Sequence, residues 1–172
     1  MAIAAILATL AVAATGPSPP IATPSPFSPP ECGYSVVFPS QPDLSQTVGN
    51  DGSKNVAADL VFGSTRLDAL CMRAAPDLAP GAAPLSDPAA SLARIEEITE
   101  ALGIQDAEML PLAALGPECA EVRGGLDSAQ GRYLIDARLC VTSNSTFIVE
   151  AIYSIQQPNP ASAPFLQSLR QK

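Results

Sequence analysis

The sequence predicts an α+β domain: an antiparallel sheet with helices packed on it. Three observations carry that prediction. Stretches with period-two or continuous apolar character stand on both sides of one strong helical stripe. Turn residues follow most of these stretches closely, and close turns join antiparallel neighbours. The resulting order is strands, helix, strands, helix, which sets helices against one sheet. A chain of 172 residues, 47% of them hydrophobic, is long enough for a single core and short for two.

The first segment, "MAIAAILATLAVAAT", is apolar all round and ends in small residues, with Ala11-Val12-Ala13 offering an A-x-A cleavage pattern. It is shorter than the roughly 20 residues that span a bilayer. Residues 1–15 therefore read as a signal peptide. A signal peptide usually carries Lys or Arg ahead of its core, and none is here; either the amino terminus supplies the charge or the true start lies upstream. Residues 16–30, "GPSPPIATPSPFSPP", read as a Pro/Ser-rich disordered tether. The domain proper is placed at 31–172.

It opens on "ECGYSVVFPSQPDL", where Tyr34, Val36 and Phe38 share a face and Pro39 removes the next ladder donor. "LSQTV" offers a second strand, closed by the turn residues of "GNDGSK". "AADLVFGSTRLDALCMR" reads as two short strands around Gly63-Ser64-Thr65. A proline-rich loop then leads to the clearest helix. Asp87 caps it, Pro88 takes the first helical position and Gly103 follows Leu102 as a stop. Leu92, Ile95, Ile98 and Leu102 form its apolar stripe, with Glu96, Glu97 and Glu100 on the solvated side.

"DAEMLPLAAL" is a weak strand, while "CAEVRG", "RYLIDARLCV" and "TFIVEAIYSI" are stronger. The last of these is apolar on both faces except at Glu150, as a covered central strand would be. Gly124-Gly125 and Gly131 bracket "LDSAQ" as a hairpin connection, and "PFLQSLR" closes the domain as a short helix presenting Phe165, Leu166 and Leu169.

Composition excludes more chemistry than it suggests. With no histidine there is no Ser-His-Asp or Cys-His pair and no histidine-containing zinc site. A Ser-Lys pair has only Lys54 and Lys172 to draw on, one in a turn and one at the terminus. The net charge of −8 falls wholly after the proline-rich stretch and disfavours nucleic acid and anionic membrane as partners. Asn144-Ser145-Thr146 matches an N-glycosylation pattern, but the cluster reads better as a tight turn.

The cysteines stand at 32, 71, 119 and 140 without a C-x-x-C, so two disulfides are expected in an exported chain. If "CAEVRG" and "RYLIDARLCV" pair around "GLDSAQG", Cys119 and Cys140 face each other on one side of the sheet. Cys32 and Cys71 are then left to pair, with nothing local to set their geometry.

The opening "YSVVFPSQP", the helix of "DPAASLARIEEITEALG" and the closing "GRYLIDARLCVTSNSTFIVEAIYS" followed by "PFLQSL" together resemble the PsbP-like family, which includes the DcrB-like proteins of bacterial envelopes. The resemblance implies an α/β/α sandwich and an envelope location. It brings no shared catalytic residues, and the middle strands are shorter than that pattern requires.

The expectation is thus a periplasmic or secreted, non-catalytic binding or assembly module with an envelope protein as partner. No catalytic, metal or cofactor residue is assigned, and no cofactor is expected. The alternative is a small-ligand binder, or an enzyme built on carboxylates, whose sheet-edge cleft would be lined by Asp59, Asp68, Asp136 or Glu150.

Overall fold

A computed structural model describes residues 23–74, 87–129, 131–155 and 161–172. The segment read as a signal peptide lies outside the described residues, as does residues 16–22 of the tether. Seven strands form the main sheet: β3 (Asp43–Val48), β4 (Lys54–Phe62), β5 (Thr65–Arg73), β6 (Gln105–Pro111), β7 (Cys119–Ser128), β8 (Gly131–Val141) and β9 (Ser145–Ser154). Their order across the sheet is β3-β4-β5-β9-β8-β7-β6, and every pairing is antiparallel. Three further strands, β1 (Ser25–Phe27), β2 (Tyr34–Phe38) and β10 (Arg170–Gln171), make a second small sheet with β2 at its centre.

This architecture corrects the expected fold class. Among the described residues there are ten strands and two helices, and the chain is not an α/β/α sandwich with helices packed on both faces. The helix α1 (Pro88–Ala101) lies on one face of the main sheet. The opposite face, which that fold would cover with helix, meets a second sheet and only one helix of 6 residues, α2 (Ser162–Gln167). The cause lies in β2. Its alternate residues Tyr34, Val36 and Phe38 are buried against the main sheet, on which the strand lies without joining its ladder. Its backbone groups then need partners of their own, which β1 and β10 supply.

The tether boundary is corrected with it. Ser25–Phe27 pair with β2, and Phe27 sits in the core, stacked 6.1 Å from Phe147 and edge-on to Phe38 at 6.4 Å. Pro26 is tolerated because β1 is an outer strand. The middle strands are not short: β4 and β5 run nine residues each, in register from Lys54↔Arg73 to Phe62↔Thr65. Gly124 and Gly125 lie inside β7 rather than in a connection. A Cβ on Gly124 would stand 2.7 Å from the Gln105 carbonyl, so glycine there lets β6 approach.

The side chain of Asp87 caps α1 by accepting from the Ala89 N–H at 3.0 Å, with Pro88 at the first position. Ile95 is fully buried against Val122, Ile135, Leu139 and Ile148, while Leu102, the last residue of the expected stripe, is 39% exposed. The turn reading of Asn144-Ser145-Thr146 holds in the structure: Thr142 and Ser145 exchange hydrogen bonds across the β8–β9 connection.

Candidate functional site

All four cysteines are bridged and fully buried. Cys119 stands directly opposite Cys140 in the β7–β8 hairpin, with Cα atoms 4.1 Å apart. Cys32, in the segment before β2, is bonded to Cys71 on β5 with a Cα separation of 6.0 Å. Burial and the absence of a neighbouring base make these structural sulfurs, which join the two sheets and lock one hairpin.

The four carboxylates named from the sequence do not share a cleft. Asp136 is on the face that meets the small sheet, opposite Ala151; Glu150 is on the α1 face, opposite Ala137. Asp59, Asp68 and Glu150 do come together, because they are successive cross-strand partners. Asp43 extends the line, since it stands opposite Asp59. Four carboxylates therefore run in one row over β3, β4, β5 and β9, ending at the sheet edge. Like charges directly opposite oppose sheet formation. Arg66 relieves part of this, its Nε lying 2.9 Å from Asp59 and 2.8 Å from Asp68.

Burial, a hydrogen bond with Asp59 and the nearby Glu150 push Asp68 up to about 7, against the pull of Arg66. Burial also raises Glu150. The space beside this pair, under Leu102, is about 40 Å³, which admits a water molecule and no substrate. Among the described residues no group of acids or cysteines is placed to hold a metal ion. The row is thus a proton-sensitive structural feature. A carboxyl whose folded pKa exceeds its unfolded value stabilises the fold fully below about pH 4 and loses that contribution as pH rises through about 7. Replacing Asp68 with asparagine should therefore help more at pH 8 than at pH 5. The gap in melting temperature between D68N and the parent chain should widen by several degrees across that interval, and a constant gap would refute the assignment.

An open groove of about 600 Å³ lies on the other face between β6 and β9. Asp106, held at a positive φ of 51° beside the bulge in β6, meets Arg132. Arg123 reaches Glu121 and, at 3.7 Å, Asp136. The Tyr153 hydroxyl donates to Asp136 at 2.7 Å; burial first, and that carboxylate second, push the phenol up to about 12. On the same face Arg138 bonds to Glu121 at 3.0 Å and donates to the Leu166 carbonyl at 2.9 Å. Each charged group named here is already engaged by an opposite charge or a hydroxyl. Such a lining can bind a polar ligand by exchange of partners, but it offers no activated nucleophile.

Sequence reasoning missed Asp43, Arg66, Arg123, Arg132 and Tyr153. The signal for the first two was register: once the turns at 49–53 and 63–64 are fixed, Asp43, Asp59 and Asp68 must align. No protein-family model matches the chain, and no curated protein matches it in sequence.

Proposed function

We propose that this chain is an exported, non-catalytic binding or assembly module of the cell envelope. The observation that carries the reading is the outer corner of the main sheet. Leu44 and Val48 on β3 are each at least 60% exposed on the face turned toward the small sheet, and Val61 on β4 is as exposed on the opposite face of the same hairpin. Exposed apolar side chains along a bare outer hairpin of a sheet mark an interaction surface more often than a catalytic one. Two disulfides fit an oxidising compartment, periplasmic or secreted. Among the described residues no helix is long and apolar enough to cross a membrane.

The second reading, a small-ligand binder, is favoured by the groove around Arg123, Asp136 and Tyr153. Two measurements separate the readings. Cross-linked capture from envelope of the native host should recover a protein partner that is lost when Leu44 and Val48 are replaced by serine. A polar metabolite that raises the melting temperature by several degrees, and fails to do so in D136N, would overturn the first reading in favour of the second.

A further inference from the structure

The two edges of the main sheet are built differently. β6 carries the bulge between Gln105 and Glu108, the positive-φ Asp106 and a terminal Pro111, all of which discourage another strand from pairing. β3 carries none of these: its six residues, "DLSQTV", include no proline, glycine or lysine, and their register with β4 is unbroken. All six are exposed. Natural sheets seldom leave so regular an edge bare.

The edge also has a defined set of free groups. The Gly49 N–H donates to the Ser53 carbonyl at 2.9 Å, which makes that pair a hydrogen-bonded one. By antiparallel alternation the next such pairs are Thr47, Ser45 and Asp43 with their β4 partners. The N–H and C=O groups of Leu44, Gln46 and Val48 therefore point away from β4, and among the described residues nothing bonds to them. On one face of this edge Leu44 and Gln46 line an open groove of about 380 Å³ beside residues 25–31, and Val48 follows them on the same face. On the other, the row of four carboxylates ends at Asp43.

We propose that the β3 edge is the docking site for an extended segment of a partner protein, added antiparallel as an eighth strand. Its side chains opposite Val48 and Leu44 are apolar, and the one opposite Asp43 is lysine or arginine. A cation there adds a second positive charge to a row of four carboxylates in which Arg66 meets only Asp59 and Asp68. Main-chain hydrogen bonds give such a complex its affinity and the alternate side chains its selectivity. A second copy of this chain fits less well. Its own β3, laid antiparallel with Val48 opposite Leu44, sets Gly49 against Asp43, and each copy carries a net charge of −8. The inference deepens the reading of the chain as a binding module and rests on it.

The test uses the full chain and a fluorescent peptide containing Val-Thr-Gln-Thr-Val-Arg, followed by anisotropy. Saturable binding is expected, and changing the peptide's arginine to glutamate should weaken it about five-fold or more. D43K should reverse that preference. Q46P removes one outward N–H without touching the β4 ladder, so it should abolish binding while leaving the melting temperature within about 2 °C. On binding, hydrogen exchange should slow at the amides of Leu44, Gln46 and Val48. Equal affinity for the two peptides, or binding retained in folded Q46P, overturns the proposal. So does a dimer in sedimentation that Q46P dissolves, which would give the edge to a second copy. If both peptides fail while an envelope partner is still captured through other residues, this proposal falls and the binding-module reading stands.

Discussion

Replacing Cys32 and Cys71 together by alanine should lower the melting temperature by roughly 10 °C. The bond spans 39 positions, for which the chain-entropy estimate gives about 4 kcal/mol. In a chain of this size each kcal/mol moves the transition by about 2–4 °C. Position strengthens the expectation. The ladders of β2 are short, three residues to β1 and two to β10, and Cys32–Cys71 adds a covalent tie between the small sheet's segment and the large sheet. Removing Cys119 and Cys140 should cost less, because their 21-position loop is shorter and the β7–β8 ladder already defines it. Calorimetry under non-oxidising and oxidising conditions checks both. A drop below about 3 °C for the first pair would show that burial alone seats β2.

Phe27→Ala should be comparably damaging. The ring is 5% exposed, stacks on Phe147 and meets Phe38 edge-on. Truncating a buried phenylalanine costs about 3–5 kcal/mol, transfer and cavity together, or about 10 °C here. Phe27→Leu should recover most of the loss. A chain begun at residue 31 should melt about as low as F27A, whereas one begun at residue 24 retains β1. If the chain begun at 31 melts like the full one, β1 is not part of the cooperative unit.

Sequence made some of this legible and hid the rest for physical reasons. The β7–β8 hairpin was open to reading because its period-two pattern is long: Cys119 to Ser128 against Gly131 to Val141 leaves one register that keeps Ala120, Val122, Ile135 and Leu139 on the α1 face. Helix α1 was open for a similar reason, with a capping aspartate, a first-position proline and a periodic stripe. β1 was hidden because a three-residue strand has no period, and Pro-Phe within a proline-rich run looks like linker. β10, of two residues, is hidden likewise.

The fold class failed on a different point. A strand's apolar face tells that it is covered, not whether it joins the ladder or lies across it, so Tyr34, Val36 and Phe38 fit either arrangement. The candidate carboxylates failed on parity. Asp136 and Glu150 both looked like polar exceptions in apolar strands, but the β8–β9 register puts them on opposite faces.

The placement of β2 between β1 and β10 bears on the order in which the protein is made. Val37 donates to the Ser168 hydroxyl across 131 positions of sequence, and Lys172 donates to the carbonyls of Pro29 and Cys32. Contacts of such separation are the slowest to close. A chain that emerges with its early residues first has β2 free to fold long before Arg170 arrives to pair with it. Cys71 arrives much sooner than that. Joining of the Cys32 and Cys71 thiols by an external disulfide oxidant, which takes up their two electrons and two protons, can thus precede the final seating of β2 and act as a latch that keeps the strand near its place until the last segment is delivered.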